Sequence, residues 1–383
     1  MARRARLLFD AGRYSLSPGA ISGIGLRVAE IAETLAVDFG FDVVIAAPAA
    51  DSLVDLEEVE IATRPGDWEK LLGECDAVFF GDMTDRSRLE QAVMRRKLII
   101  SENVAPIEHL SYPSVLGQSA PESAHQEFLG LFTRQLQVSH HFLCRSGIER
   151  ATLAATLCAA GQITPADIAQ SPTLTQRISF VPIGFSRTSA EQARQTEPRR
   201  LADFLWTGGL WSWYDPLAFV EAIGLCHQRG VSATAAFLYA QPSPDTSAVI
   251  DSVRTRVNEL GLESAVLLNR ELLSLEDRHA ILQGATAGVC LANPGLENET
   301  CVRLRARDSR LYGLPLVVDP YGPTGIEMGH DGLAVVLSDI SAETAADALT
   351  DLLNSSMHGA QHQPQFTYAE TLRGFVRWLN STL

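Results

Sequence analysis

The stretch from Asn293 to Asp319 reads NPGLENETCVRLRARDSRLYGLPLVVD and says most about the fold. Gly313-Leu-Pro315 ends a helical pattern, and the apolar run Leu316-Val-Val318 is typical of a buried parallel strand. A polar loop with acids and arginines precedes the helix. In an open α/β sheet, ligands bind beyond the carboxyl ends of the strands, where helix N-termini attract phosphate. The stretch therefore predicts a charged loop and helix that lead into a parallel sheet.

The charged residues of this stretch have two interpretations. Arginines and acids on a helix usually form a solvated face with weak ion pairs. Alternatively, the arginines and Asp308 line a site at the edge of the sheet. The rest of the chain has to decide between these interpretations.

The composition limits the class of protein. The chain has 383 residues, which is too long for one ordinary core and predicts two domains. Hydrophobic residues make up 46% and charged residues 20%, as in an ordinary α/β enzyme. The formal net charge is -15, which argues against broad attraction to nucleic acid or anionic lipid but leaves room for a local phosphate pocket.

The cysteines and the apolar runs predict a cytoplasmic protein. The six cysteines lack CxxC spacing and are expected to be buried thiols of a reduced compartment, not disulfides or zinc ligands. The apolar part of MARRARLLFDAG is too short for a signal peptide and predicts a first strand. No apolar run is long enough to span a membrane. No D-x-D, P-loop or HExxH pattern occurs, so no metal is expected.

The N-terminal part begins with a strand, a Gly-rich loop, a helix and a second strand, which is the start of a doubly wound sheet. Gly23 and Gly25 end that loop, where they either allow close packing of the helix on the sheet or face a ligand. Glu102 and Asn103 follow a buried strand and therefore lie at the functional edge, although a capping role is the simpler alternative. His141 is a candidate general base, with packing at a strand as its alternative.

The C-terminal part opens with LWTGGLWSWYDP, in which a strand meets Gly208-Gly209 and an aromatic loop. A helix is expected near Asp215, with a proline in an early position. Backbone amides of a Gly-Gly turn beside a helix start suit a diphosphate. Asn269 and Arg270 lie at a later strand end, although Arg270 could simply pair with Glu271 or Asp277.

These observations predict an α/β protein with two Rossmann-like, doubly wound domains. We expect an N-terminal domain over residues 1–185, a linker over 186–200 and a C-terminal domain over 201–362. A closing helix is expected over 363–383.

The chain resembles the family-four-type retaining glycosyltransferases of the GT-B fold. Their signature places two acids before a helix that ends in Gly-x-Pro. The second acid falls on Asp308, where the family usually has Glu, whereas the first falls on Thr300. A bacterial branch instead carries a Glu, two Arg and an Asp before Gly-Leu-Pro, and Glu297, Arg303, Arg305 and Asp308 match that spacing.

The resemblance implies two domains facing across a cleft and transfer of a sugar from a UDP- or GDP-linked donor, with retention and without a metal. It also implies that the closing helix packs on the first domain. The acceptor would be a small molecule or a glycan, and a homodimer is compatible with this interpretation. Two alternatives stay open: a GT-B sugar-nucleotide epimerase or hydrolase, and a nucleotide-sugar-binding protein without catalysis.

The resemblance also implies roles for individual residues. The aspartate at 308 would accept hydrogen bonds from the ribose, and the arginines would replace the Arg and Lys that many members carry in the Gly-Gly loop. The predicted catalytic residues are Glu297, Glu299 and Arg303; the donor-binding residues are Gly23, Gly25, Gly208, Gly209, Asn269, Arg270, Arg305 and Asp308; and the acceptor-side residues are Glu102, Asn103 and His141.

Overall fold

The structure is a computed structural model that describes residues 4–19, 21–64, 66–81, 84–102, 117, 119–355 and 363–383. The predicted acceptor-side residue Asn103 lies outside these residues. The described chain divides into two compact units. The first contains residues 4–102, 120–189 and 364–383, with the gaps just given, and the second contains residues 190–363.

The first unit is built on a seven-stranded parallel sheet with the order β3-β2-β1-β4-β5-β6-β7. Its strands are β1 (Arg6–Asp10), β2 (Asp42–Ala46), β3 (Val59–Ala62), β4 (Ala77–Gly81), β5 (Leu98–Glu102), β6 (His141–Cys144) and β7 (Ile178–Phe180). In β1, Leu7 pairs with Val43 on one side and with Ala77 on the other. The central strands are buried on both faces, which explains their continuous apolar sequence.

The second unit is built on a six-stranded parallel sheet with the order β10-β9-β8-β11-β12-β13. Its strands are β8 (Phe204–Trp206), β9 (Ala235–Phe237), β10 (Val266–Leu268), β11 (Ala287–Cys290), β12 (Leu316–Val318) and β13 (Ala334–Val336). The predicted buried strand Leu316–Val318 is therefore confirmed. The prediction of two Rossmann-like units is confirmed as well.

Helices connect the parallel strands in both units. They are α1 (Gly23–Val37), α2 (Asp67–Glu74), α3 (Arg86–Met94), α4 (Pro121–Val138), α5 (Gly147–Ala159), α6 (Pro165–Gln170), α7 (Arg187–Gln195), α8 (Pro216–Gln228), α9 (Ser247–Glu259), α10 (Leu275–Gly284), α11 (Leu296–Thr300), α12 (Ala306–Tyr312), α13 (Gly322–His330), α14 (Ala342–Asn354), α15 (Tyr368–Thr371) and α16 (Arg373–Thr382), with a 3-10 turn at Pro364–Phe366.

Two helix boundaries follow from local chemistry that the sequence predicts. The side chain of Asp215 caps α8 by accepting from the amide of Ala218, and Pro216 occupies the first position. Gly313 ends α12 with a φ of 62°, a left-handed conformation that favours glycine. Both boundaries lie beside the charged stretch from Asn293 to Asp319.

The order of the strands reverses between β1 and β4 in the first sheet, and between β8 and β11 in the second. Loops on the two sides of such a point diverge and leave a crevice at the carboxyl ends of the strands. In the second unit, the turn at Gly208-Gly209 follows β8, and the charged stretch follows β11. The topology therefore brings these two segments, about 90 residues apart, to one place.

The C-terminal segment belongs to the first unit, as predicted. Its Tyr368 is completely buried, and its hydroxyl accepts hydrogen bonds from the Arg27 guanidinium at 2.9 Å and from the amide of Gly184 at 3.2 Å. Arg27 also donates to Glu102 at the end of β5, at 2.8 Å. This buried network joins α1, β5 and the closing segment.

The predicted linker over residues 186–200 is not extended throughout. It contains α7, and the division between the two units falls inside this helix, between Ser189 and Ala190. Polar side chains at the start of α7 are held by buried acids of α1, since the Ser189 hydroxyl donates to Glu30. The lack of apolar periodicity in this segment is consistent with a helix that buries little apolar surface.

His141 lies inside β6 with no exposed surface. Its Nε2 lies 2.9 Å from the Ser179 hydroxyl and its Nδ1 lies 3.2 Å from the carbonyl of Gln176. The ring stacks on Trp378 of α16, with the centroids 3.8 Å apart. This environment matches the packing alternative for His141, because both ring nitrogens and one ring face are occupied.

Replacement of Gly184 by alanine should detach the closing segment. An added Cβ would lie 2.0 Å from the carbonyl oxygen of Phe366, a backbone atom that cannot move away alone. Overpacking of this kind costs about 1–3 kcal/mol or more, and we expect a fall in melting temperature of about 5 °C or more. The matched control is Gly147→Ala, where an added Cβ meets no atom within 4 Å. Equal melting temperatures for the two variants in a thermal scan would contradict this account.

The stability should fall at acid pH partly because of His141. Burial lowers the pKa of His141 to about 3, whereas the unfolded chain takes up the proton near pH 6.5. The contribution of neutral His141 to the free energy of unfolding is therefore complete above pH 6.5. It is lost as the pH falls towards 3, by at most about 1.4 kcal/mol per pH unit. Denaturant unfolding at pH 7.5 and 5 should show a smaller pH dependence in His141→Gln than in wild type. The exposed control His330→Gln should keep the wild-type dependence.

Candidate functional site

The charged residues from Arg303 to Arg310 are buried. The exposed fractions are 4% for Arg303, 6% for Arg305 and Arg307, 2% for Asp308 and 1% for Arg310. The interpretation of a solvated face with weak ion pairs is therefore wrong. Buried guanidinium groups require hydrogen-bond acceptors and compensating charge, so the partners of each arginine show what it does.

Arg303 links three segments around the end of β12. Its guanidinium donates to Asp319 at 2.9 Å and to the side-chain oxygen of Asn298 at 2.7 Å, and its amide donates to Thr324 at 2.9 Å. Burial raises the pKa of Asp319, and the nearby Arg303 opposes this shift. Arg303 is thus a fully engaged ion-pair partner that joins α11 to α13.

Arg305 has a different environment. Its guanidinium carbon lies 4.6 Å from the Trp206 ring centroid and 4.3 Å from that of Tyr214. The guanidinium donates to the sulfur of Cys290 at 2.7 Å and to the carbonyl of Gly209 at 3.2 Å. Within the described part of the chain, no carboxylate pairs with Arg305. Arg305 is therefore a buried cation held by aromatic faces and neutral groups.

The two glycines after β8 make room for these side chains. A Cβ at Gly208 would lie 2.6 Å from Nε of Arg305, and one at Gly209 would lie 2.8 Å from Nε1 of Trp211. Trp211 itself stacks on Trp213, with ring centroids 5.4 Å apart and nearly parallel planes. The Gly-Gly turn is thus in direct contact with the guanidinium of Arg305, as the hypothesis of a shared phosphate site requires.

The predicted catalytic acids Glu297 and Glu299 lie on α11, a short helix where a loop was expected. Asn298 between them is buried and donates to the carbonyls of Trp213 at 3.0 Å and Asn293 at 2.7 Å. Glu297 is half-buried and Glu299 is exposed. Asn298 was not recognised from the sequence, because an asparagine in a polar stretch gives no signal of burial.

The helix α11 lies very close to the start of α13. A Cβ at Gly322 would lie 1.9 Å from the carbonyl oxygen of Asn298, and Gly322 also has a φ of +68°. Both conditions require glycine at this position. The close approach fixes the backbone that carries Glu297, Asn298 and Glu299.

Asp308 is paired with an arginine that the sequence did not indicate as a site residue. Both carboxylate oxygens accept from Nη2 of Arg278, at 2.8 and 2.7 Å. The other terminal nitrogen of Arg278 donates to the hydroxyl of Tyr239. Arg278 lies on α10, 30 residues earlier in the chain, and a single arginine on a mixed helix does not reveal a distant partner.

The residues after β10 occupy the same edge of the second sheet. The side-chain amide of Asn269 donates to the carbonyls of Leu238 at 3.0 Å and Glu271 at 2.9 Å, so this side chain holds the loop in place. Arg270 is exposed. Asp277 pairs with Arg199 at 2.5 Å, and the described residues show no ion pair between Arg270 and Glu271 or Asp277.

The predicted site residues of the first unit are engaged in internal contacts. Gly23 and Gly25 lie in the first turn of α1, whose cap Ser22 accepts from the amide of Gly25 at 3.1 Å. A Cβ at Gly25 would lie 3.0 Å from the carbonyl of Ser15, which supports the close-packing alternative. Glu102 is 8% exposed and paired with Arg27.

The described part of the chain contains neither a metal-ligand cluster nor a membrane-spanning helix. No group of three or more His, Cys, Asp or Glu side chains there has an arrangement that could hold a metal ion. Among the same residues, every helix is too short or too polar to cross a membrane.

The comparisons with known proteins concern the fold. No family model matches the sequence, and no curated protein matches it either. Among solved structures, HepE from Anabaena in complex with UDP and glucose has a TM-score of 0.61 at 12% identity, covering 100% of both chains. A trehalose 6-phosphate synthase from Burkholderia multivorans has a TM-score of 0.64 at 12% identity, covering 99% of this chain and 97% of that one. The chain has the GT-B fold.

A third GT-B relative supports the same result. Sucrose-phosphate synthase from Thermosynechococcus elongatus has a TM-score of 0.56 at 13% identity, covering 99% of this chain and 94% of that one. The similarity thus extends over both units, whereas the sequence identity is only 12–13%. Conclusions about chemistry must therefore come from the residues of this chain.

Replacement of Gly322 by alanine should disturb the contact between α11 and α13. Positive φ alone costs a non-glycine residue about 1–2 kcal/mol, and the Cβ would also clash with the carbonyl of Asn298. The matched control is Gly332→Ala, which has a φ of +69° but no neighbour within 4 Å. Thermal melting should show a clearly larger loss for Gly322→Ala, and equal losses would argue against the proximity of the two helices.

Proposed function

We propose that the protein is a glycosyltransferase that moves a sugar from a nucleoside-diphosphate sugar to an acceptor. The observation that carries the proposal is the guanidinium of Arg305, which is buried over the Gly208-Gly209 turn with no carboxylate partner among the described residues. The GT-B fold and a relative solved with UDP and glucose support a nucleotide sugar as the ligand.

The charge around Arg305 favours a diphosphate. A buried cation without a counter-ion is costly, and a bound anion would offset that cost. The two aromatic rings hold the guanidinium, and its N–H groups can donate to a phosphate in a bidentate manner. Arg303 is less suited to this role, because Asp319 and Asn298 already accept from it.

The other predicted donor residues complete the site in this proposal. The backbone amides of Gly208 and Gly209, which are half-buried residues, would contribute to diphosphate binding. The strand end at Asn269 and Arg270 would hold the base, and Asp308 would accept from the ribose hydroxyls. The nucleotide of the HepE complex leads us to propose UDP ahead of GDP.

The chemistry needs stabilisation of the leaving group more than a strong base. As the bond between the anomeric carbon and the donor phosphate oxygen breaks, negative charge develops on the diphosphate beside Arg305. The acceptor hydroxyl forms the new bond to the anomeric carbon, and its proton passes to the departing phosphate. A carboxylate from α11 would stabilise positive charge on the sugar, and the configuration would be retained.

The acceptor side of the proposal rests on two predicted residues, which are Glu102 at the end of β5 and Asn103. We do not assign an acceptor contact to His141, since this side chain has no exposed surface. The acceptor class, a small molecule or a glycan, has to be found by experiment.

The function is tested by incubating the protein with UDP- and GDP-linked sugars, with and without a panel of sugar and small-molecule acceptors. Conjugates detected by mass spectrometry would support transfer. An altered donor without acceptor would support the epimerase or hydrolase alternative. Nucleotide binding without turnover across the panel would support the non-catalytic alternative. Absence of any nucleotide binding would overturn the proposal.

The role of Arg305 gives a sharper prediction. Arg305→Met should weaken UDP binding at least about tenfold, because a hydrogen bond to a charged group contributes about 1.5–3 kcal/mol. Binding of uridine, which lacks the phosphates, should change little, and Arg305→Lys should be intermediate. Isothermal titration calorimetry measures all three affinities. The control is Arg229→Met, which removes the same charge from an exposed position of the second unit. Equal weakening of UDP and uridine would contradict a diphosphate contact.

A further inference from the structure

We propose that Arg278 is a positioning residue that makes the donor site prefer ribose over deoxyribose, by holding the carboxylate of Asp308. This inference rests on the proposed function, since it concerns the ribose of the same donor. The GT-B resemblance did not indicate Arg278 as a site residue. The inference comes from the contact between Arg278 and Asp308.

The contact is short and uses both oxygens of the carboxylate. Nη2 of Arg278 lies 2.8 Å from Oδ1 and 2.7 Å from Oδ2 of Asp308. Arg307 also approaches Oδ1, but at 3.4 Å. Each carboxylate oxygen has about two acceptor positions. Arg278 and Arg307 therefore occupy both positions on Oδ1, whereas Oδ2 keeps one acceptor position, which we assign to a ribose hydroxyl.

The pair lies at the edge of the sheet where a nucleotide would bind. Arg278 is in the first turn of α10, which follows β10, and Asp308 is in the first turn of α12. Tyr239, which accepts from Arg278, lies two residues after the end of β9. The side chain of Arg278 is 15% exposed and that of Asp308 is 3% exposed. The carboxylate is therefore enclosed by its partner and offers little free surface.

The position of Asp308 depends on few groups. Nε of Arg278 is buried and has no acceptor among the described residues. The guanidinium is thus oriented by Asp308 on one side and by the hydroxyl of Tyr239 on the other. Loss of the guanidinium would leave the carboxylate with only the more distant Arg307 to orient it. A less well-oriented carboxylate is a poorer acceptor for a ribose hydroxyl.

The experiment compares UDP with 2′-deoxy-UDP by isothermal titration calorimetry. Wild type should bind UDP at least about tenfold more tightly, since one hydrogen bond to a charged group is lost in the deoxy compound. Arg278→Met should reduce this ratio to about one, chiefly by weakening UDP. Arg278→Lys should restore part of it, because it returns the charge without the planar geometry.

Two further variants separate positioning from a general effect on the fold. Asp308→Asn should lose the preference in the same way, and the double variant Arg278→Met/Asp308→Asn should show no additional loss, as expected for residues that act as a unit. Tyr239→Phe leaves Arg278 in place but removes one of its two acceptors, and should lower the ratio by a smaller factor. This variant tests the proposal even if Arg278→Met fails to melt cooperatively.

The outcomes distinguish the inference from the proposed function. If wild type binds UDP but does not prefer it over 2′-deoxy-UDP, or if Arg278→Met and Tyr239→Phe keep the preference, the inference is overturned and the donor site stands. If wild type binds neither UDP nor GDP, the proposed function is overturned, and the inference falls with it. If only GDP binds, the same comparison with 2′-deoxy-GDP decides.

Discussion

The burial of arginine side chains is the constraint on which the second unit depends. A guanidinium group has five N–H donors and a permanent charge, so each buried one needs acceptors from several chain segments. Arg303 takes its acceptors from Asp319 and Asn298 and thereby joins the end of β12 to α11. The guanidinium of Arg310 donates to the carboxylate of Asp331 at 2.7 Å and joins α12 to the residue after α13. These side-chain contacts connect loops and helices at the edge of the sheet.

The first unit also contains a buried arginine whose acceptors come from several chain segments. Arg27 donates to Glu102, to the hydroxyl of Tyr368 and to the carbonyls of Val181 and Pro182. This network connects the first helix, the central sheet and the closing segment. It satisfies the charge of Arg27 completely with groups of the protein. Arg305 differs because the groups around its guanidinium are the sulfur of Cys290, the carbonyl of Gly209 and two aromatic rings, with no carboxylate among them.

The sequence predicted those features of the fold that depend on local pattern. The strand at Leu316–Val318, the end of α12 at Gly313 and the start of α8 at Pro216 follow from apolar runs, a glycine and a capping aspartate. The helix around Glu297 was missed because five residues are too few for a periodic pattern. The assignment of Gly23 and Gly25 to a loop was also wrong, since both lie in the first turn of α1. A glycine is compatible both with a loop and with a helix start that packs closely on a neighbouring backbone.

The partners within the candidate site could not be predicted, because they join residues far apart in the chain. Arg278 reaches Asp308 and Arg305 reaches Gly208 only because the sheet brings α10, α12 and the turn after β8 to one edge. A sequence shows that arginines are present but not which of them lack a carboxylate. That distinction separates Arg305 from Arg303, although both match the same motif equally well.

The two acids of α11 can be distinguished by the geometry of the helix. Positions 297 and 299 are two residues apart, so their side chains leave an α-helix in nearly opposite directions. Glu297 is half-buried and Glu299 is exposed. Thr300, which occupies the position of the first acid in the motif, donates its hydroxyl to the carbonyl of Leu296 at 2.7 Å and is thus engaged within the helix. A carboxylate acts most strongly on a developing positive charge where water is excluded, so burial favours Glu297 over Glu299 as the acid that the proposed function places beside the donor sugar.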